Sequence, residues 1–267
     1  MMNFASQIPN TPNYIPTLNR MGYMSPSLDM IQRAFVTYCQ AHLSGNFLDI
    51  GCGFGIATLP VINGGCKITA CDLEEKHLEI LQEGLSQEKL SRLTLISGHF
   101  PDEVVFPKDT FDAINVSMVL HFFPPSTIEK AFQEIFLCLK KGGRLFLTTS
   151  SPYQRVLAPF LSIYEKKQSV EEWPGFIANI KKYVPHRASF LPKQNIVFCT
   201  RELTRLVSKF GFHVLEATFF SREGIPPDLS LDGREYSGII CEKPKEFSGV
   251  FLEKNKAIPP TQAANRR

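Results

Sequence analysis

Gly51, Gly53 and Gly55 fall within five residues, and an aspartate stands on either side of them. Asp49 precedes Gly51 by two positions, and Asp72 follows it by 21. Glycines so spaced let the main chain turn tightly and come close to a ligand, because positive φ is open to them and no Cβ intervenes. Asp49 sits in an otherwise apolar stretch, Phe-Leu-Asp-Ile. A carboxylate there is costly to bury unless loop amides or a ligand ammonium satisfy it. Asp72, at the end of the next apolar stretch, lies where a carboxylate takes hydrogen bonds from both hydroxyls of a ribose. The spacing describes a nucleoside site with a cation-binding end.

Such a loop works only if strands carry it. Phe47–Ile50 reads as a short strand running into Gly51-Cys-Gly-Phe-Gly, and Lys67–Cys71, Leu93–Ser97, Phe111–Ser117 and Arg144–Thr149 read as four more. Between them lie a short helix that Pro60 could kink and that stops at Gly64-Gly65, and a helix over Leu73–Leu85. A third opens on a capping box, Ser126-Thr-Ile-Glu129, with Ile128, Ala131, Phe132, Ile135 and Leu139 on one face and Gly142 as its stop. A further helix from Thr200 carries Leu203, Leu206, Val207 and Phe210, and His213–Phe220 and Tyr236–Cys241 complete the strands. Strand and helix in alternation predict a parallel sheet covered on both faces. Upstream, an irregular proline-rich leader over residues 1–26 precedes a helix from Ser27, an N-cap candidate, to about His42. Tyr14, Tyr23 and Met24 are the leader residues that could fold over a pocket.

Two cofactors fit this outline. NAD asks for G-x-G-x-x-G, but Ile56 stands where the third glycine belongs, and Asp49 would lie near the pyrophosphate charge. S-adenosylmethionine (SAM) has no phosphate and carries an ammonium. Asp49 therefore favours SAM.

The segments Phe-Leu-Asp-Ile-Gly-Cys-Gly-Phe-Gly (47–55), Ala-Cys-Asp-Leu (70–73), Phe-Asp-Ala-Ile-Asn-Val-Ser-Met-Val-Leu-His (111–121) and Lys-Lys-Gly-Gly-Arg-Leu-Phe-Leu (140–147) resemble the class I SAM-dependent methyltransferases of small-molecule type. The resemblance covers residues 46–150 well and 200–242 loosely. It implies an α/β fold: a doubly wound, mostly parallel, seven-stranded Rossmann-like sheet whose last strand is antiparallel, here with an inserted helical lid. It also implies that Asp49, Gly51, Cys52, Gly53 and Gly55 cradle the methionine part of SAM, and that Asp72 and Leu73 hold the ribose side. Ser117 and Met118 would border the sulfonium. An acidic residue followed by an apolar one commonly ends the third strand and reads adenine; His99-Phe100 stands there instead, with Asp102 as a possible substitute for the carboxylate.

The domain layout follows: residues 1–45, N-terminal segment and helix; 46–150, SAM-binding core; 151–199, the lid, expected to bind substrate; 200–242, the closing helix and strands; 243–267, a tail. The lid is too long for an ordinary connection. It holds helical stretches near 154–168 and 174–183 and is rich in aromatics. Its seven basic residues against three glutamates give +4 and hint at an acidic substrate, met by Arg155, Lys181, Lys182 or Arg187. A helical pair that only extends the core is the competing reading.

Methyl transfer needs mainly positioning and exclusion of water. His121, after the fourth strand, is the leading candidate for a general base, with His186 and Tyr153 behind it. There is no Asn-Pro-Pro-Tyr after the fourth strand, no cysteine placed for cytosine-C5 chemistry, no paired-glutamate hairpin and no acidic metal set near Asn115–Ser117. These gaps point to an O- or N-methyltransferase of a small molecule, with no metal and no nucleic-acid partner expected. A degenerate SAM-binding interaction protein and an NAD(P)-dependent oxidoreductase are the alternatives. Composition agrees with a globular chain: 267 residues, 43% hydrophobic, and 29 Lys+Arg against 26 Asp+Glu. No run approaches the roughly 18 apolar residues of a membrane span, the N-terminus lacks a signal-peptide pattern, and none of the seven cysteines forms a C-x-x-C pair. A cytoplasmic location is expected.

Overall fold

The computed structural model describes residues 14–246. The first half of the leader, residues 1–13, and nearly all of the expected tail lie outside them. Seven strands form the main sheet: β1 (Asn46–Ile50), β2 (Lys67–Asp72), β3 (Leu93–Ser97), β4 (Phe111–Ser117), β5 (Leu139–Ser150), β6 (His213–Phe220) and β7 (Tyr236–Glu242). Their order across the sheet is β6-β7-β5-β4-β1-β2-β3. The pairs β1–β2, β2–β3, β1–β4 and β4–β5 are parallel, and β7 alone runs against its neighbours β5 and β6. The chain order reverses between β1 and β4, and the carboxyl ends of those two strands open the crevice where a doubly wound sheet takes its ligand.

Helices cover both faces. α1 (Met30–Ala41) and α2 (Thr58–Asn63) bury Ile31, Phe35, Val61 and Ile62 against Phe47 and Phe146 on one side. α3 (Glu75–Gln82) and the short α4 (Gln87–Leu90) follow β2. On the opposite face α5 (Pro125–Cys138) and α7 (Thr200–Lys209) pack Ile128, Phe132, Ile135, Leu203 and Leu206 onto the inner strands. Each such side chain, fully buried, contributes about 1.5–3 kcal/mol. Among the described residues no helix is long and apolar enough to cross a membrane.

Several boundaries move. The N-cap of α1 is Asp29, not Ser27: its carboxylate accepts from Gln32 N–H, and the Gln32 side chain accepts from Asp29 N–H. α3 starts two residues later than Leu73, capped by Glu74. α5 begins at Pro125, so Ser126 lies inside the first turn and makes no cap; the fixed φ of proline at N1 does that work. Leu139 leaves the helix for a strand that begins at once, and β5 is far longer than Arg144–Thr149 because Leu139 already pairs with Phe111 of β4, ahead of a register shift. Pro60 falls in the first turn of α2, where its missing N–H is no loss.

Residues 151–199 contain α6 (Ala158–Lys167), preceded by a 3-10 turn at Arg155–Leu157. The expected second helix is absent: Phe176–Ile177 pairs as a short strand with Asn195–Ile196, and 3-10 turns occupy Ile180–Lys182 and Pro185–Phe190. Leu157, Phe160, Tyr164, Ile177, Ile180 and Val184 bury one another in a cluster of their own. Its root is tied to the core, where the Tyr164 hydroxyl donates to Glu202 at 2.7 Å and Glu202 accepts from the Cys199 N–H opening α7. Upstream of α1, Ile15–Pro16 and Tyr23–Met24 form a small antiparallel hairpin that lies over the crevice.

Candidate active site

At the reversal point lies a cavity of about 290 Å³. Gly51 N–H and Cys52 N–H both donate to the Cys71 carbonyl, at 2.8 and 3.1 Å, which folds the loop back onto β2. Gly51 and Gly53 adopt φ of +69° and +54°. A Cβ at position 53 would sit 2.2 Å from Met24 Sδ, and one at position 51 would sit 2.2 Å from Val119 Cγ2. The hairpin and the turn after β4 thus come within contact of bare backbone. Gly55 faces Leu81 and does not line the cavity; it is the one cofactor-binding candidate that the fold sets apart.

Asp49 is buried, and its partners are not loop amides. Thr58 Oγ1–H donates to one oxygen at 2.6 Å and the Asn115 carboxamide N–H to the other at 2.7 Å. Both donors are neutral. Burial pushes the carboxyl up to about 6, against the pull of those two hydrogen bonds, and the nearby Asp72 adds to the rise. The Asn115 carbonyl oxygen is buried with no partner among the described residues. A cation entering beside this pair would gain a carboxylate and a free acceptor.

Asp72 accepts from Gly53 N–H at 2.8 Å, from Glu74 N–H at 2.9 Å and from His77 Nδ1 at 3.0 Å. A carboxylate offers about four acceptor positions. By that count one remains for a hydroxyl, where two were expected. The backbone N–H of Leu18 donates to His77 Nε2 at 3.0 Å. An N–H cannot accept, so the imidazole carries its proton on Nδ1 and gives it to Asp72.

The third strand ends as expected on the cavity wall, with Phe100 buried and His99 partly exposed, both facing the site. Asp102 does not replace the missing carboxylate: it lies outside the cavity, on Lys130 at 2.8 Å and His99 at 3.6 Å. Leu73, Ser117 and Met118 also line the cavity. Ser117 shares a hydrogen bond with Thr148 at 2.8 Å, and Met118 takes positive φ, +58°, as the chain leaves β4.

His121 lies in the 3-10 turn Leu120–Phe122, 5% exposed, its ring 3.9 Å from that of Phe122. Nδ1 has no partner among the described residues. Burial lowers its pKa to about 3, helped by the charge of Arg222. His186 and Tyr153 do not reach the cavity: His186 binds Asp228 at 2.8 Å, and Tyr153 packs on Phe219 beneath the Arg234 guanidinium. Of the four cations expected to meet an acidic substrate, only Arg187 lines the site. Arg155 donates to the Ser230 carbonyl, and Lys181 and Lys182 are exposed. Arg187 holds Asp228 through Nε and Nη2, both at 2.7 Å, and lies over the Tyr23 ring.

Sequence reasoning missed Thr58, Asn115, His77, Arg222 and Tyr236. Asn115 lies within the 111–121 motif and Thr58 three residues beyond the glycine motif, and a hydrogen-bonding residue beside a buried Asp49 was the available signal. Arg222 stands in an irregular stretch between β6 and β7 and had none.

Residues 47–143 match the family model described as a methyltransferase domain. The strand order and the glycine loop agree with that match and with the fold of class I SAM-dependent methyltransferases. A demethylmenaquinone methyltransferase of Tropheryma whipplei is 32% identical over 117 residues, which is 44% of this chain and 46% of the relative. A tRNA N(3)-cytidine methyltransferase of Mus musculus, METTL2, is 26% identical over 55% of this chain and 37% of its own. The chain thus spans under half the length of both relatives. A solved SAM-dependent methyltransferase of Methanosarcina mazei superposes with a TM-score of 0.60 at 18% identity, over 82% of this chain and all of the other. That likeness is one of fold.

The residues present fit SAM. The bare loop, the Asn115 acceptor beside Asp49 and the remaining Asp72 position suit an amino acid joined to a nucleoside, and no phosphate-binding helix start is called for. NAD fits less well, since Asp49 would face its negative linkage and Ile56 stands where its third glycine belongs.

Proposed function

We propose that this protein is a SAM-dependent methyltransferase that methylates an oxygen or nitrogen of a small molecule. The observation that carries the reading is that one cavity is lined on one side by the glycine loop and on the other by the lid. When bound, SAM supplies an electrophilic methyl carbon. The residues of the chain bind, orient and exclude water. Gly51, Cys52 and Gly53 present backbone, Asp49 with Asn115 takes the ammonium, Asp72 takes a ribose hydroxyl, and Leu73, His99 and Phe100 border the adenine. Ser117 and Met118 flank the reacting centre.

His121 is neutral above about pH 4. Catalytic bases work best with pKa near the operating pH, so His121 serves here as a hydrogen-bonding group that orients the acceptor, and positioning supplies most of the rate. A small acceptor is favoured over RNA by the enclosure. A base would have to be flipped in, and the lid cation that lines the cavity, Arg187, is already engaged with Asp228. The seven cysteines, all free and buried, support a reducing, cytoplasmic location.

Calorimetry with SAM, its demethylated product S-adenosylhomocysteine (SAH) and NAD tests the cofactor. SAM and SAH should bind and NAD should not; tighter NAD binding overturns the reading. A methylation screen of metabolites and of tRNA then tests the acceptor, and activity confined to tRNA overturns the small-molecule part.

A further inference from the structure

The charged side chains that line the cavity are not mixed. Asp49 and Asp72 lie at the glycine loop, whereas Arg187 comes from the lid and Arg222 from the segment between β6 and β7. Both arginines have aspartate partners, Asp228 and Asp29, and neither aspartate lines the cavity. Each pair therefore turns its positive member inward. The cavity is negative where an ammonium and a ribose would sit, and its positive charge is supplied by other elements.

The two arginines differ in what they have left to give. Arg187 spends Nε and Nη2 on the two oxygens of Asp228. Arg222 gives Nη2 to Asp29 at 2.6 Å and lies over the Tyr236 ring at 4.4 Å, while its Nε–H is buried with no partner among the described residues. Leaving a charged donor unsatisfied in a dry site is costly. The position is built to keep the guanidinium in place nonetheless: Asp29 is fixed as the N-cap of α1, and Tyr236 is fixed in β7 next to the core. His121, whose Nδ1 is also unpartnered, is near enough to feel the charge of Arg222. Apolar side chains of the lid, Leu157, Ile180 and Val184 among them, line the same cavity.

Resting on the reading of the cavity as a SAM-dependent site, we propose that Arg222 is the recognition residue for the methyl acceptor. It binds an anionic oxygen, a carboxylate or an ionised phenol, on a small aromatic or otherwise apolar molecule. Its free Nε–H donates to that oxygen, His121 lies alongside, and the lid covers the apolar body. An uncharged analogue leaves the guanidinium short of a strong acceptor and binds more weakly.

The test uses the full chain saturated with SAH and titrated with four probes at one pH: benzoate, benzamide, 4-nitrophenolate and anisole. Benzoate or the phenolate should bind at least about tenfold more tightly than its uncharged counterpart, as a charge-assisted hydrogen bond predicts. Which of the two binds names the source of the oxygen. The Arg Nε–H resonance that is missing from R222K should shift on titration. R222Q should lose the preference while keeping wild-type affinity for SAH. Equal binding of charged and uncharged probes, an unshifted Nε–H signal, or a preference retained by folded R222Q would each overturn the proposal. R222K, which keeps the charge, and the wild-type titration carry the test if R222Q fails to fold. Absence of SAH binding by the wild type would instead defeat the cofactor reading, and the same titration without SAH would still judge Arg222.

Discussion

The cofactor side and the acceptor side of the cavity are held together by different means. On the cofactor side the loop is fixed by backbone amides: Gly51 and Cys52 to the Cys71 carbonyl, Gly53 and Glu74 to Asp72. Its carboxylates meet neutral donors and one imidazole. On the acceptor side, distant pieces of chain are held by charge: Asp29 with Arg222, and Arg187 with Asp228. A site of the first kind keeps its charges waiting for a ligand and is destabilised by them in the free protein. A site of the second kind satisfies most of its charges internally and gains stability from them.

The largest expected effect lies on the acceptor side. Asp29→Ala strands the buried Arg222 and removes a helix cap, and should cost about 3–5 kcal/mol of stability, read as a shift in the urea midpoint. A loss below about 1 kcal/mol would mean that the pair behaves as a surface ion pair, and the contrast between the two sides would collapse. Asp49→Asn should do the opposite. The free protein at pH 7.5 should be as stable as the wild type or more so, since a desolvated charge is gone, while SAM affinity by calorimetry falls about 10- to 150-fold, the worth of a charged hydrogen bond at 1.5–3 kcal/mol. Equal losses of stability and affinity would argue that Asp49 is structural.

The pH dependence sharpens the contrast. Asp49 rises from 3.8 to about 6 on folding, so the folded state holds a proton that the unfolded state has lost, and stability falls as pH climbs from about 4 to 6. His121 drops from 6.5 to about 3, so the unfolded state is the one that holds the proton, and stability rises with pH over the same window. The two nearly cancel in the wild type, each slope being at most about 1.4 kcal/mol per pH unit. Asp49→Asn should therefore make the protein more acid-labile than the wild type between pH 4 and 6, and His121→Phe less so. Parallel urea-midpoint profiles for all three would show that neither group is perturbed. The smallest effect is on rate: His121→Ala should lower kcat/KM about 5- to 10-fold, the worth of a hydrogen bond at about 1–1.5 kcal/mol, with SAH affinity unchanged. A drop of a hundredfold or more would restore His121 as a general base.

The same division governs what could be read before the fold was known. β3, β4 and β6 have the bounds that their apolar patterns predict, and all but one of the cofactor-side candidates line the cavity, because that side is written in contiguous runs where a strand leads straight into its loop. Gly55 escaped because a glycine that faces Leu81 and one that faces a ligand leave the same mark. Residues 174–183 were misread as helix: their partner strand, Asn195–Ile196, is remote and two residues long, too short for alternation to show. Arg222 was invisible for the same reason on a larger scale. Its partner Asp29 is 193 positions away, and nothing local to either residue announces the pairing. Lid charge was legible as a sum but not by position, and the cation that matters most lies outside the lid.

His77 joins Asp72 to the main chain at Leu18, and Met24 of the same hairpin rests on Gly53 while Tyr23 lies under the Arg187 guanidinium. One hairpin therefore touches the glycine loop, the Asp72 imidazole partner and the Arg187 side of the cavity. Lifting this hairpin would strip the imidazole of its backbone donor and take Tyr23 from beneath the Arg187 guanidinium in the same motion. Turnover should then be governed by exchange: SAH should dissociate slowly, inhibit strongly against SAM, and set the pace of successive cycles more than the transfer itself.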